Sequence, residues 1–167
     1  MKIKDGFLFF WVTEDYMSNW HKSEFVLNGI KFNCAEQYMM YSKAMVFGDT
    51  YHAQKILETT SQSKQKGYGR QVRNYDDDVW NEVRMDIVYE ANMAKFKQNP
   101  HLLEQLLSTG DLHLVEASPY DQIWGIGMDE DDPDATNPEE WDGLNLLGEV
   151  LMVVREHLRK NNESDDN

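Results

Sequence analysis

One stretch constrains the fold more than any other. Asp76-Asp77-Asp78 offers helix N-caps, Asn99-Pro100 stops a helix, and between them Trp80, Val83, Ile87, Ala91 and Ala94 recur at helical spacing. The pattern predicts the chain's longest helix, over about 79–98. Helical segments also read at about Ala35–Phe47, 50–59, 101–107 and 144–159. Gly48 ends the first of these, Asp49 caps the second, and the last carries Leu147, Leu151, Val154 and Leu158 on one face. Strand signals are short: FLFFWV at 7–12, Leu112–Ala117, and the runs Glu24–Leu27 and Ile30–Asn33 on either side of Asn28-Gly29, a type I′ hairpin signature. The stretch SQSKQKGYGRQVRN reads as polar and glycine-bearing, with no element assigned. The fold class is therefore mostly α with a small β component. No repeat or linker divides the chain, so one domain is expected over 1–160, followed by an acidic, disordered tail at 161–167.

Composition narrows the classes. A chain of 167 residues can bury a sizeable core. Cys34 is the sole cysteine, which rules out an internal disulfide and points to the cytoplasm. The five histidines are scattered and show no ligand spacing, so neither a metal nor a cofactor is expected. The apolar run near the N-terminus is too short, and too soon followed by acids, for a signal peptide; no run approaches membrane-spanning length. A net charge of −14 argues against general binding to phosphate backbones. Eight acids fall in 129–142 and three in the tail, however, which leaves a body near −3.

Four constellations could carry chemistry. Glu36 and Lys43 are seven residues apart, so a helix puts them on one face with Met39 and Met40 between them. Two readings fit: a desolvated amine beside a carboxylate, or a lysine snorkelling from the core with Glu36 favoured by the helix dipole. Lys64, Lys66, Arg70 and Arg73 cluster around Gly67 and Gly69, which suits a phosphate or a solvated turn. From Glu116 to Gly127, Asp121 and Trp124 sit among Gly125 and Gly127; the indole could stack on a flat heterocycle or belong to the core. Asn145 heads the last helix as a cap or as a ligand contact, and Ser18-Asn19-Trp20 is a polar-aromatic loop of similar character. Carboxylates, a shielded lysine, cations and a loop tryptophan together fit a phosphorylated riboside carrying a planar base.

Ser18-Asn19-Trp20, Glu36-Gln37-Tyr38-Met39-Met40 with Lys43-Ala44, Lys66-x-x-Gly69-Arg70, Trp80, Lys95-Phe96, Thr109-Gly110, Glu116-Ala117, Asp121-x-x-Trp124-Gly125-Ile126-Gly127 and Trp141-x-Gly143-x-Asn145-x-x-Gly148 follow one another in the order of a known pattern. From Phe7 to Leu158 the chain resembles the YbiA-like, or NADAR (NAD and ADP-ribose associated), family. The resemblance implies a compact, mostly helical single domain and hydrolysis of N-glycosidic bonds to ribose. One branch of the family acts on ribosylamino-pyrimidine phosphates, early intermediates of riboflavin synthesis; another removes ADP-ribose from guanine in nucleic acid or nucleosides. Carried over by position, Glu36, Lys43 and Asp121 would be catalytic, and Trp124, Arg70, Lys66, Asn19, Gly125 and Asn145 would bind substrate. The expected partner is a phosphorylated riboside or an ADP-ribose-type small molecule; net charge disfavours ADP-ribosylated nucleic acid. The acidic loop 129–142 departs from the pattern and is expected to alter access to the pocket. The alternative reading is a non-catalytic module that binds ADP-ribose or NAD.

Overall fold

A computed structural model describes residues 1–166. In it the chain forms two compact units, Asn19–Asn99 and Met1–Ser18 together with the stretch from Pro100 onward.

The unit Asn19–Asn99 opens with a hairpin of β1 (Phe25–Leu27) and β2 (Ile30–Phe32), antiparallel with Phe25 opposite Phe32. Asn28 and Gly29 take φ of 50° and 77°, as the type I′ turn requires. Helices α1 (Ala35–Val46), α2 (Thr50–Glu58), α3 (Gln62–Arg70) and α4 (Asp77–Gln98) follow. The caps act as the sequence suggests: Asp49 accepts from the His52 N–H, and Asp76 accepts from the N–H groups of Asp78 and Val79. Phe25, Phe32, Ala35, Tyr38, Ala91 and Ala94 form the core that joins hairpin, α1 and α4.

Helix α3 corrects the sequence reading. The stretch taken as a glycine-bearing polar segment winds into a helix capped by Ser61, whose hydroxyl accepts from the Lys64 N–H. Gly69 is needed there for close approach rather than for flexibility. A Cβ on it would fall 2.1 Å from Met40 Sδ, so α3 lies this close to α1 without displacing Met40 only where the side chain is missing.

The other unit holds a three-stranded sheet. β3 (Lys2–Lys4) pairs antiparallel with β4 (Phe7–Phe10), which pairs parallel with β5 (His113–Glu116). Strand β3 is absent from the sequence reading, although Asp5 and Gly6, at φ 51° and 84°, repeat the turn signature of Asn28-Gly29. Helix α5 (Pro100–Ser108) precedes β5, and α6 (Leu146–Asp165) closes the chain. The predicted end of that helix at 159 is too early, since it continues to Asp165; Asn167, the last residue of the expected tail, lies outside the described residues. Phe9, Val115, Ala117, Ile126, Met128 and Ala135 form this unit's core. The acidic loop packs into it through Ala135, and the Trp141 indole N–H donates to the Ala135 carbonyl (2.8 Å). Asp129 and Asp132 accept from the N–H groups of Asp131 and Asp134, so part of the acidity folds the loop. Six α-helices and two small sheets make the described chain mostly α, as expected. Among the described residues no helix is long and apolar enough to cross a membrane.

Candidate functional site

The residues singled out from sequence fall into two groups, one in each unit. In Asn19–Asn99 the centre is α1. Its N-cap residue, Cys34, makes no side-chain capping bond. The first turn is tied down by other means: the Glu36 N–H donates to the Asn19 carbonyl (2.8 Å), and the Asn33 N–H donates to Gln37 Oε1 (2.7 Å). Asn19 is itself held from α4, where Asn92 donates to its Oδ1 (3.1 Å) and to the Val88 carbonyl (2.9 Å). Glu36, 5% exposed, therefore projects from a helix end whose position is fixed by two other segments.

Two turns on, Lys43 is half-buried, its Nζ 4.6 Å from the centroid of the Tyr75 ring. Burial pulls its amine below the ordinary lysine range; Glu36 opposes that, Arg70 adds to it by like-charge repulsion, and Asp77 opposes it. The structure thus brings Glu36 on α1 and Arg70 at the end of α3 within electrostatic reach of Lys43. Asp77 joins them from the start of α4, and Tyr75 from the segment just before it. The Tyr75 hydroxyl donates to Asp77 Oδ1 (2.6 Å), and burial pushes the phenol up to about 12. Lys66 lies elsewhere on α3, with its Nζ 5.3 Å from the centroid of the Trp20 ring, while Gln62 donates to the Trp20 carbonyl. This is a cation–π contact at the mouth of the Asn19-Trp20 loop.

In the other unit, Asp121 Oδ1 accepts from the N–H groups of Ile123 (2.9 Å) and Trp124 (2.8 Å). One carboxylate oxygen thereby shapes the loop that carries the half-buried Trp124. Gly125 is buried, and a Cβ on it would lie 2.9 Å from the carbonyls of both Asp121 and Glu116. The close approach it permits here is to the backbone of Glu116 and Asp121. Asn145 differs from the capping role, one of the two that its position suggests. It makes no side-chain cap for α6. At 0% exposure, its Oδ1 accepts from the Glu116 N–H (3.0 Å) and its Nδ2 donates to the Leu114 carbonyl (3.0 Å). Its amide fastens the start of α6 to β5.

Sequence reasoning missed Tyr75 and Asn92, read Asp77 only as a cap, and gave Lys95 no role of its own. Tyr75 and Asp77 sit in a capping segment whose obvious job hides a second one. Lys95, 0% exposed, carries an amine that burial pulls down to about 7, with Cys34 opposing. Among the described residues no group of three or more His, Cys, Asp or Glu is arranged to hold a metal ion.

Comparisons with known proteins agree with this architecture. The solved NMR structure of the Escherichia coli protein YbiA superposes with a TM-score of 0.78 over 96% of this chain and 89% of that one, at 26% identity. N-glycosidase R617 of Acanthamoeba polyphaga mimivirus is 47% identical over 83% of this chain and 85% of its own. A riboflavin biosynthesis protein of Vibrio vulnificus is 28% identical over 87% of this chain but only 36% of its own length. The NADAR domain model matches residues 9–159, so the chain belongs to the NADAR family.

Proposed function

We propose that the chain is an N-glycosidase that hydrolyses the C1′–N bond of a ribosylated substrate, either a ribosylamino-pyrimidine phosphate or an ADP-ribosyl-guanine conjugate, without a metal ion. The observation that carries this reading is Lys43: a half-buried amine held below the ordinary lysine range, on the same helix as the buried Glu36 and under the charge of Arg70. A relative named N-glycosidase supports an N-glycosidic bond as the target, and one named riboflavin biosynthesis protein supports the first of the two substrates.

The chemistry follows from the charges. Breaking C1′–N builds positive charge on the sugar, which the Glu36 carboxylate would stabilise. A lysine with a lowered pKa has more neutral amine near pH 7 and is the better nucleophile. The base nitrogen's lone pair would open the ring, forming C1′=N as C1′–O4′ breaks and O4′ takes a proton; Lys43 would add to C1′ with the π electrons returning to the base nitrogen, which then takes up a proton and leaves with the C1′–N electron pair. Water hydrolyses the resulting imine and returns the amine. Arg70 and Lys66 would hold phosphate. The chain's net charge weighs less against a nucleic-acid substrate than it first suggests, because residues 19–99 carry 11 Lys and Arg against 10 Asp and Glu.

Two experiments test the reading. Incubation with each substrate, followed by chromatography for the free base, should show release from at least one of them, unaffected by a chelator. Tight calorimetric binding of ADP-ribose with no release from either would favour the non-catalytic module. Borohydride added during turnover should trap a ribose adduct on Lys43, read by mass spectrometry. No adduct, together with activity retained in Lys43→Ala, would remove the covalent step.

A further inference from the structure

Tyr75 is exposed and yet pinned. It sits in the connection between α3 and α4, where Asn74 turns the chain with φ of 60° and the Arg73 N–H donates to Asp49 Oδ2 (2.8 Å). Its hydroxyl donates to Asp77 Oδ1 (2.6 Å), in the first turn of α4. Its ring meets the ring of Phe47, the residue that ends α1, in an edge-to-face arrangement with centroids 5.3 Å apart. Backbone, hydroxyl and ring are thus held from three sides, while the residue stays 42% exposed. An aromatic face kept at the surface in one orientation is cheap to use for binding, because little rotamer freedom is left to lose.

That face lies under the candidate amine. Lys43 Nζ stands over the ring, 4.6 Å from its centroid. Attack of an amine on a sugar carbon brings the two atoms to about 3–3.5 Å. The leaving base is bonded to that same carbon, so it arrives beside the amine. Stacked aromatic rings sit with centroids about 4.5–7 Å apart. A base on C1′ is therefore within stacking reach of Tyr75 whenever Lys43 is within attacking reach of C1′.

We propose that the Tyr75 ring is the surface on which the leaving base stacks: the face that carries the Lys43 ammonium in the free protein passes to a flat heterocycle when substrate binds. The proposal rests on Lys43 being the reacting amine, but its test requires no turnover. A base stacked on an aromatic ring is worth more than a cation–π contact at a part-exposed site, so the exchange favours the base and frees the amine for C1′. The Asp77 tether and the Phe47 contact set the angle of the ring. Stacking accepts any planar ring, so Tyr75 selects a base-bearing sugar over a bare sugar phosphate and does not choose between pyrimidine and purine.

Calorimetry of the full-length protein with ribose 5-phosphate, uridine monophosphate and guanosine monophosphate measures what a base adds to a shared sugar phosphate. At least one nucleotide should bind wild type about tenfold or more tighter than ribose 5-phosphate. Tyr75→Leu should remove most of that gain and change ribose 5-phosphate binding by less than about twofold. Tyr75→Phe keeps the ring and should keep the gain; Tyr75→Trp offers a larger face and should increase it. No gain from a base in wild type overturns the proposal. So does a gain that survives Tyr75→Leu, or a loss that falls equally on ribose 5-phosphate, which is the mark of a merely structural residue. If Tyr75→Leu does not fold, an unchanged gain in Tyr75→Trp overturns it instead. Borohydride trapping in wild type reports separately on Lys43: a trapped ribose adduct together with a gain that survives Tyr75→Leu removes the stacking role and leaves the glycosidase reading standing.

Discussion

At the scale of single residues, several side chains that look chemical by type are building the fold. Asn145 spends its amide on β5, and Asp121 spends one oxygen on two backbone N–H groups. This separates structure from chemistry experimentally. Asp121→Asn keeps an acceptor oxygen in place, whereas Asp121→Ala removes it. Stability in urea should therefore stay within a few tenths of a kcal/mol for Asn and fall by about 1–2 kcal/mol for Ala. With folding so preserved, the activity of Asp121→Asn reports the carboxylate's charge alone: a loss of tenfold or more marks a chemical role, and wild-type turnover marks a purely structural one. Asn145→Ala offers no such separation, because two buried backbone groups lose their partners at once; a loss of about 2–4 kcal/mol is expected, read from the same urea midpoints.

At the scale of elements, α3 shows where sequence reading stops. Its residues are polar, its two glycines are poor helix formers, and Gln65 is its most deeply buried side chain, so no apolar stripe announces a helix. What stabilises it is tertiary: Gln65 donates to the Thr59 carbonyl (2.8 Å), and Gly69 lets α1 come close. The elements that were legible, α1, α2, α4 and the Asn28-Gly29 hairpin, announce themselves through local caps, turns and periodicity. Strand β3 was missed because three residues with two lysines look like a polar leader, although its Asp5-Gly6 turn was readable. The Glu36–Lys43 spacing was likewise plain, but Tyr75 over Lys43 and Asp49 gripping Arg73 join residues distant in sequence, and no local pattern encodes them. The α1–α3 contact yields a test whose sign reverses. Gly69→Ala improves helix propensity by about 1 kcal/mol but forces Met40 aside, at about 1–3 kcal/mol. It should destabilise the wild-type background and stabilise a Met40→Ala background, measured as a double-mutant cycle in urea.

At the scale of the whole molecule, charge divides between the two units, and most of the excess acid of one of them lies in the loop and the tail. Residues 19–99 are nearly neutral, while the rest of the chain holds 5 Lys and Arg against 20 Asp and Glu. Inside the near-neutral unit lies Lys95, fully buried beside Phe96, with its Nζ 5.1 Å from the ring centroid. Burial pulls its amine down to about 7, against an ordinary value of 10.5. Between those two values the unfolded chain holds a proton that the folded chain has released. Stability therefore rises with pH across that window, and the full penalty of burying the ammonium is felt below about 7. Lys95→Met keeps a long, flexible side chain without the titration, and every other titrating group is common to both proteins. The stability of wild type relative to Lys95→Met should climb as pH rises from about 7 toward 10, by up to about 1.4 kcal/mol per pH unit, and should be flat below about 6. Urea unfolding of both proteins across that range measures the difference directly. Parallel curves would mean that the Lys95 amine keeps its proton through the window despite its burial.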